Sequence, residues 1–145
     1  MKTIRHLLAR KGNAVHTIGP DATVFEALES MARHDVGALV VVDAEGEVIG
    51  LLSERDYARK VILHGRISRD TPVRDIMSTG VLCVTSRQTV DACMALMTRH
   101  RIRHIPVVEN GQLSGIISIG DVVSAIIEDQ QFTIEQLEHY ITDSR

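Results

Sequence analysis

Two short stretches of the chain combine a hydroxyl with a carboxylate at a spacing of three residues. Residues 50–56 read Gly-Leu-Leu-Ser-Glu-Arg-Asp, and residues 115–121 read Gly-Ile-Ile-Ser-Ile-Gly-Asp. In each, two apolar residues complete a predicted strand and the serine opens a predicted helix. A helix start presents free backbone N–H groups and the positive end of the helix dipole, which suits phosphate. The aspartate can accept hydrogen bonds from both hydroxyls of a ribose. The pairs are Ser53 with Asp56 and Ser118 with Asp121.

The same spacing has a second interpretation that involves no ligand. Ser-x-x-Asp before an apolar run is also a capping box, in which the two side chains only satisfy the first turn of a helix. A single occurrence favours the capping box. The recurrence of the motif at matching positions of a repeat favours a nucleotide site, and both interpretations remain open at this stage.

An internal repeat places the two motifs in register. Residues 15–43 align with residues 81–109 at an offset of 66, and a one-residue deletion near Ala44 changes the offset to 65. Self-similarity at a fixed period indicates repeated structural units. A unit of about 60 residues is marginally stable alone. We therefore expect the two copies to pack together around a pseudo-twofold axis.

Each copy is predicted to form the sequence strand, helix, strand, hairpin, strand, helix. Apolar residues at i, i+4 and i+7 indicate the first helix, and Gly-containing turns indicate the hairpin. Pro106 has no N–H to donate, so its strand should lie at an edge or start there. The predicted elements are strands Val15–Ile18 and Val81–Val84, helices starting at Thr23 (capped with Glu26) and Thr89, strands Ala38–Val42 and Ile105–Val108, turns Glu45-Gly46 and Asn110-Gly111, strands Val48–Leu52 and Leu113–Ile117, and helices from Asp56 to about Leu63 and from Asp121 to about Glu128.

The predicted fold class is α/β (α+β), with two β-α-β-β-α repeats and a C-terminal helix. The divisions are residues 1–70, residues 71–130 and a tail at 131–145. Each of the first two begins with a short segment that we call a lead-in and expect to be helical, Thr3–Leu8 in one and Pro72–Met77 in the other. In the tail, Ile134, Leu137 and Ile141 share one helical face, with Thr133 and Gln136 as a candidate cap. That face is expected to pack or to dimerise.

Composition excludes several classes of function. The net charge of −3 and the 3% aromatic content argue against nucleic-acid partners. No signal peptide or apolar run of membrane-spanning length is present, so we expect no membrane association and a cytoplasmic location. Cys83 and Cys93 lack C-x-x-C spacing and are expected to be buried, reduced thiols.

Taken together, these motifs resemble a tandem pair of CBS domains. The resemblance rests on the β-α-β-β-α unit, the Arg-His-Ile-Pro-Val-Val run at residues 103–108 and the doubled Gly-h-h-Ser-x-x-Asp, in which h is apolar, and it covers residues 4–128. It implies two clefts between the copies that hold AMP, ADP, ATP or NAD, with S-adenosylmethionine less favoured. It also implies a homodimer and needs no metal.

The resemblance assigns residues to each cleft by position. The serine is expected to contact phosphate and the aspartate ribose, with adenine held by apolar groups from both copies. One cleft would use Ile116, Ser118, Asp121, Val36, Gly37 and Ala38, with Ala22 and Arg103 nearby; the other would use Leu51, Ser53, Asp56, Ile102, Arg103 and His104. We expect the first cleft to be the tighter site, and Arg55 to meet an additional phosphate in the second.

Other polar clusters carry weaker predictions. His100 and His104 have i,i+4 spacing, but the helix should end near His100 because Pro106 disfavours helix before it, so we predict no metal site. The cluster of Arg99, Arg101, Arg103 and His104 suits a positive rim for phosphates or a solvated face. No catalytic set or phosphate-binding glycine loop is present.

The sequence thus predicts a regulatory module that senses adenine nucleotides and signals to an unidentified partner protein by conformational change. An alternative is a structural or oligomerisation module whose two motifs are helix caps. A nucleotide-processing enzyme is the least favoured reading, because no general base recurs beside the two motifs.

Overall fold

The computed structural model describes residues 2–143 and is organised as two related halves. Two helices, α2 (Val24–His34) and α4 (Val90–His100), have the same length, and each follows a threonine whose hydroxyl accepts a hydrogen bond from the third helical N–H. The predicted cap at Thr23 thus forms through the Glu26 N–H, and Thr89 makes the same kind of bond. The mixed α/β fold with a C-terminal helix is confirmed. The elements are α1 (Ile4–Lys11), β1 (Thr17–Ile18), α2 (Val24–His34), β2 (Ala38–Val42), β3 (Val48–Ser53), α3 (Glu54–Tyr57), α4 (Val90–His100), β4 (His104–Glu109), β5 (Gln112–Ser118) and α5 (Ile119–Asp143).

The strands form two small sheets. In the first half β1 is parallel to β2, and β2 is antiparallel to β3. In the second half β4 and β5 form an antiparallel pair. The hairpin turn between them consists of Asn110 and Gly111, both with positive φ (52° and 78°), which is the geometry that two-residue hairpins favour. Both predicted hairpins are therefore confirmed.

The predicted strand Val81–Val84 is wrong, and Pro106 explains why. In the first half the Val40 N–H donates to the carbonyl of His16 and thereby holds β1. Pro106 occupies the place of Val40 in the second half and has no N–H to donate. Only a single bridge between Val84 and Val107 forms there. The first-half strand is also shorter than predicted, since it is limited to β1.

The helices that follow the Ser-x-x-Asp motifs begin directly after each serine rather than at the aspartate, and they differ in length. In the first half α3 makes one turn and continues as a π-helical segment, Ala58–Ile62. In the second half α5 runs without a break through the tail. The predicted cap at Thr133 is wrong, because the Thr133 hydroxyl bonds to the carbonyl of Asp129 inside the helix.

Two apolar cores lie under the two sheets, and each is completed by a lead-in from the opposite half. Helix α1 precedes the first repeat in the chain, yet Ile4, Leu7 and Leu8 are buried in the second core. The second lead-in, with a 3₁₀ turn at Val73–Asp75, is buried in the first core. This exchange fixes the two halves to each other and defines the clefts between them.

Two glycines allow the lead-ins to approach the sheets closely. A Cβ at Gly50 would lie 2.6 Å from Met77 Sδ, and a Cβ at Gly115 would lie 3.0 Å from a methyl group of Leu8. These separations are too short for ordinary side-chain contact. The glycine that begins each motif is therefore required by packing.

The two cysteines differ in environment. Cys93 is buried in the second core as predicted, but Cys83 is exposed, so that part of the prediction is wrong. Cys83 lies in the segment that the missing strand would have ordered. Its counterpart in the first half, Thr17, is also exposed although it lies in β1, so this position faces solvent in both halves while the next residue turns inward.

Candidate functional site

Both Ser-x-x-Asp motifs close as capping boxes. In the first, the Ser53 N–H donates to Asp56 Oδ2 at 3.0 Å and the Asp56 N–H donates to Ser53 Oγ at 3.2 Å. In the second, the corresponding distances between Ser118 and Asp121 are 2.8 and 3.1 Å. The capping interpretation is thus correct at both sites. Both caps use Oδ2 of the aspartate, so a ligand role would depend on Oδ1, which in Asp56 is also contacted by Lys60 and Ser78.

The backbone N–H groups at these helix starts are partly occupied. The Glu54 N–H donates to the carbonyl of Gly37 at 3.1 Å, and the Ile119 N–H donates to that of Arg103 at 2.8 Å. Together with the caps, these bonds use two of the first three N–H groups of each helix. A phosphate at either helix start would therefore depend more on nearby cationic side chains than on the helix terminus alone.

The larger of two clefts between the halves, the Asp56 cleft, has a volume of about 710 Å³. This volume lies in the range typical of small-molecule sites, roughly 300–1,000 Å³. Its lining comes from β3 and α3, the lead-in around Ser78, and the segment between α4 and β4. The lining residues that carry side-chain charge, hydroxyl or imidazole groups are Ser53, Glu54, Arg55, Asp56, Arg59, Lys60, Ser78, Thr79, His100, Arg101, Arg103 and His104.

Positive charge is concentrated in the Asp56 cleft. Arg55, Arg59, Arg101 and Arg103 all line it, together with Lys60. The charges of Arg59 and Arg103 lower the pKa of Arg55, which means that these cations repel one another in the empty cleft. Binding of an anion would relieve that repulsion.

Asp56 is held on both of its oxygens. Lys60 Nζ lies 3.0 Å from Oδ1, and the Ser78 hydroxyl donates to the same oxygen at 3.3 Å. The π-helical segment positions Lys60, whose ammonium also donates to the carbonyl of Ile76 at 2.9 Å. The carboxylate is therefore oriented toward the lead-in wall, with a cation beside it that can also reach a phosphate.

The smaller Asp121 cleft has a volume of about 370 Å³. It is lined by the end of α1, the segment that precedes β2, and the junction of β5 with α5. Lys11 is the cationic residue of its lining, in which arginine is absent. Its residues are Lys11, Gly12, Ala14, His16, Asp35, Val36, Gly37, Ala38, His104, Ile116, Ser118 and Asp121.

Lys11 makes two short polar contacts within the Asp121 cleft. Its ammonium lies 2.6 Å from Asp121 Oδ2 and 2.6 Å from the carbonyl oxygen of Ile116. Burial by itself would raise the pKa of Asp121, but the hydrogen bonds from Lys11 and from the Ser118 N–H outweigh it, and the pKa is lowered. Asp121 is therefore an ionised carboxylate whose Oδ2 oxygen accepts from both Lys11 and the Ser118 N–H.

Gly37 and His104 line both clefts and form the wall between them. The His104 ring lies 3.8 Å from the position of a Cβ on Gly37. Burial and the charges of Lys11 and Arg103 lower the pKa of His104 against the opposing effect of Asp121. The neutral form of His104 is thus favoured between the two clefts.

Most of the predicted site residues line the cleft to which they were assigned. The exceptions are Ala22 and Arg103 in the Asp121 cleft. Ala22 lies outside both linings, where its carbonyl accepts from the Val73 N–H and its side chain packs on the first core. Arg103 lines only the Asp56 cleft. The residues placed as predicted are Ile116, Ser118, Asp121, Val36, Gly37 and Ala38 in one cleft, and Leu51, Ser53, Asp56, Arg55, Ile102, Arg103 and His104 in the other.

The lining residues that the sequence analysis did not assign to either cleft include Lys11, Arg59, Lys60 and Ser78. Lys60 stands four residues after Asp56, a spacing that signals an ion pair on a helix. Arg59 and Lys60 also continue the positive pattern of Arg55. Lys11 and Ser78 had no local signal, because the crossed packing of the lead-ins brings them to the clefts.

Three features of the described residues concern metal ions and membranes. Helix α4 ends at His100, so His100 and His104 do not share a helical face. Within residues 2–143 no group of three or more His, Cys, Asp or Glu side chains is arranged to hold a metal ion. No helix in the described part of the chain has the length and apolar character to cross a bilayer.

Comparison with known proteins identifies the two halves. The CBS domain profile matches the chain twice, at residues 5–63 and 73–128. The mitochondrial CBS domain-containing protein CBSX3 of Arabidopsis thaliana is 44% identical over 83% of this chain, which spans 61% of that protein's length. CBS domain-containing protein YhcV of Bacillus subtilis is 36% identical over 74% of this chain and 76% of its own length.

A solved structure agrees with these sequence relationships. The signal-transduction protein with CBS domains from Burkholderia ambifaria is 46% identical and superimposes with a TM-score of 0.85, covering 92% of this chain and 99% of that one. The predicted family resemblance is confirmed over both repeats. The chain belongs to the CBS-domain family, as a tandem pair of CBS domains of the regulatory, ligand-binding class.

Proposed function

We propose that the chain senses adenine nucleotides and that the Asp56 cleft is its principal binding site. The observation that supports this most strongly is the ring of Arg55, Arg59, Arg101 and Arg103 around a cleft of about 710 Å³. Guanidinium groups bind phosphate oxygens through paired, charge-assisted hydrogen bonds. In this proposal Asp56 faces the ribose, and the arginines hold the phosphates.

The charge of the cleft discriminates among the candidate ligands. ATP and ADP carry more negative charge than AMP, so they gain more from four arginines. NAD carries two singly charged phosphate groups and a nicotinamide cation, so its net charge is less negative than that of AMP and it ranks after AMP. S-adenosylmethionine carries a sulfonium cation that these arginines would repel. We therefore propose the order ATP, ADP, AMP, NAD, with S-adenosylmethionine last.

Signalling requires that the ligand bind two arrangements of the halves with different affinity. The Asp56 cleft meets this requirement in principle, since its lining comes from both halves and from the exchanged lead-in. A nucleotide that contacts Arg55 in one half and Arg103 in the other would change the separation of the halves. We propose that a partner protein reads this change, and that no chemistry occurs on the nucleotide.

Self-association is part of the proposal. The family resemblance implies a homodimer, and α5 presents Ile134, Leu137 and Ile141 as exposed residues on one face. A second copy of the chain would cover this face. Sedimentation equilibrium measures the molecular mass in solution and so tests self-association. The mass of a dimer is expected for the wild type, and the mass of a monomer would remove this part of the proposal.

The test of nucleotide binding is thermal unfolding with AMP, ADP, ATP, NAD and S-adenosylmethionine, on protein freed of carried-over ligand. A ligand that binds only the folded state raises the midpoint with concentration. ATP is expected to give the largest shift in wild type. Asp56→Ala should lose the shift.

Asp121→Ala is the matched control for that test. Both aspartates cap a helix in the same way, so both variants should lose about 1 kcal/mol of stability from the cap. Only Asp56→Ala should also lose the response to ATP. Absence of a shift with every ligand would leave the two motifs as helix caps and contradict the proposal.

A further inference from the structure

We propose that Lys11 is a built-in latch that keeps the Asp121 cleft closed to nucleosides, so that the two clefts of this chain differ in availability. The inference rests on the proposed nucleotide function, because it assigns regulation to the second of the two related clefts. Its starting point is the geometry of a single ammonium group.

The Lys11 ammonium contacts two acceptors that line the Asp121 cleft. One is Oδ2 of the Asp121 carboxylate, which also accepts the Ser118 N–H, and the other is the carbonyl of Ile116. Both distances are 2.6 Å, and the side chains of Lys11 and Asp121 are only 31% and 23% exposed. A nucleoside must displace this cation before it can use either group.

In the first half a lysine also pairs with the aspartate, since Lys60 Nζ lies 3.0 Å from Asp56 Oδ1, but its other bond is to the carbonyl of Ile76 and not to that of the motif strand. Leu51 is the counterpart of Ile116, and its carbonyl accepts from the backbone N–H of Ser78 at 2.9 Å. A backbone bond of this kind leaves the cleft above it open. In the second half α1 continues as a helix to Lys11, so no lead-in backbone reaches Ile116, and the lysine side chain takes its place.

The latch is anchored independently of the cleft. Leu7 and Leu8 are buried in the second core, and Lys2 pairs with Asp129 at 3.3 Å on α5. Arg10, the neighbour of Lys11, pairs with Glu128. Helix α1 is therefore held in place whether or not the Lys11 side chain occupies the cleft. A side-chain rotation is enough to release the two acceptors.

Titration of ¹⁵N-labelled protein with adenosine tests the latch, because adenosine has the ribose and base but no phosphate for Lys11 to attract. The amide signals of Ser118 and Asp121 report the second cleft, and that of Arg55 reports the first. Lys11→Met should lower the adenosine Kd at the second cleft at least about tenfold, since freed charge-assisted acceptors become available. The Kd at the first cleft should not change.

Arg10→Met is the matched control, because it removes a cation from the same helix turn without touching the cleft. It should leave both values of Kd unchanged. Lys11→Gln gives a second variant if Lys11→Met proves unstable. An unchanged or weaker Kd at the second cleft in folded Lys11 variants would overturn the latch.

The two proposals fail separately in this experiment. If ATP moves the Arg55 signal but Lys11→Met leaves adenosine binding near Asp121 unchanged, the latch alone is wrong. If Lys11→Met opens the second cleft while no nucleotide moves the Arg55 signal, the latch stands and the assignment of the Asp56 cleft is wrong. If no cleft signal moves in any variant, both are wrong.

Discussion

The two clefts of this protein descend from the same repeat, yet their electrostatics differ. In the Asp56 cleft four arginines face one another and lack nearby carboxylates other than Glu54 and Asp56 among the lining residues. A lysine pairs with the aspartate in both clefts, Lys60 with Asp56 and Lys11 with Asp121, but Lys11 is the single lysine or arginine among the lining residues of the Asp121 cleft. The comparison shows that a shared Ser-x-x-Asp motif does not ensure equivalent sites. The residues that surround the motif decide which cleft is prepared for an anion.

The difference originates in the lead-ins rather than in the repeats themselves. The lead-in of the Asp56 cleft is helical only in the 3₁₀ turn Val73–Asp75, and Ser78 beyond it pairs with Leu51 through backbone atoms. The lead-in of the Asp121 cleft stays helical through Lys11. The two repeats are thus similar, and the longer helix of the first lead-in, eight residues against three, made the clefts unequal. We expected the Asp121 cleft to be the tighter site; the function proposed above reverses that order, and thermal unfolding of the two aspartate variants tests it.

The largest expected effect comes from removal of two arginines from the Asp56 cleft. Arg55→Gln with Arg103→Gln should weaken ATP binding by about a hundredfold or more, because each charge-assisted hydrogen bond contributes about 1.5–3 kcal/mol. AMP binding should weaken less, since it has fewer phosphate oxygens to lose. Isothermal titration calorimetry of both ligands measures the two ratios.

Arg99→Gln provides the control for the arginine pair. Arg99 lies in the same basic stretch but does not line the Asp56 cleft. Its substitution should change ATP affinity little. An equal loss for ATP and AMP in the double variant would show that the arginines do not contact the phosphates.

The two motif glycines should respond differently to the same substitution. Gly50→Ala should destabilise the fold by about 1–3 kcal/mol, because the new methyl group meets Met77 and no room is available without strain. The backbone oxygen of Ser78 lies 3.2 Å from it and limits relaxation. Gly115→Ala meets only the methyl groups of Leu8, which can rotate, so its cost should be smaller.

Urea unfolding of the two alanine variants measures that difference. Replacing glycine by alanine reduces the conformational entropy of the unfolded chain, which stabilises both variants by a similar amount, about 0.4–1 kcal/mol. This contribution therefore cancels when the two variants are compared. Equal costs, or a greater cost for Gly115→Ala, would mean that the two lead-ins are packed alike.

The smallest effect concerns the wall between the clefts. The folded state lowers the pKa of His104 from its ordinary value of about 6.5, so the unfolded state binds the proton more readily. Stability should therefore fall as the pH decreases below about 6.5, toward the folded pKa. The charges that face His104 are Lys11, Arg103 and Asp121. His104→Gln should flatten this part of the stability profile.

His16→Gln is the comparison for His104→Gln. His16 also has a lowered pKa, because of burial and the neighbouring His34, and it contributes in the same direction. Urea unfolding between pH 5 and 8 measures both variants. If only His16→Gln flattens the profile, protonation of His104 does not oppose folding.

The repeated pattern, the element order, the hairpin turns and the helix caps could be predicted from the sequence because each depends on residues close together in the chain. Thr23 and Thr89 cap their helices through N–H groups three residues away. Asn110 and Gly111 adopt the two positive φ values of a tight hairpin without help from distant residues. The serine and aspartate of each motif are likewise local partners.

Only the tertiary structure decided how the two clefts differ. The exchange of lead-ins brings Lys11 to Asp121 over a separation of 110 residues, and no local pattern encodes that contact. The loss of the strand before Val84 depends on Pro106, which lies in the neighbouring strand. The sequence by itself determined the elements and the paired motifs, because short-range sterics and hydrogen bonds specify them. The folded arrangement decided which acceptors are open, because that depends on which distant side chain is packed beside each one.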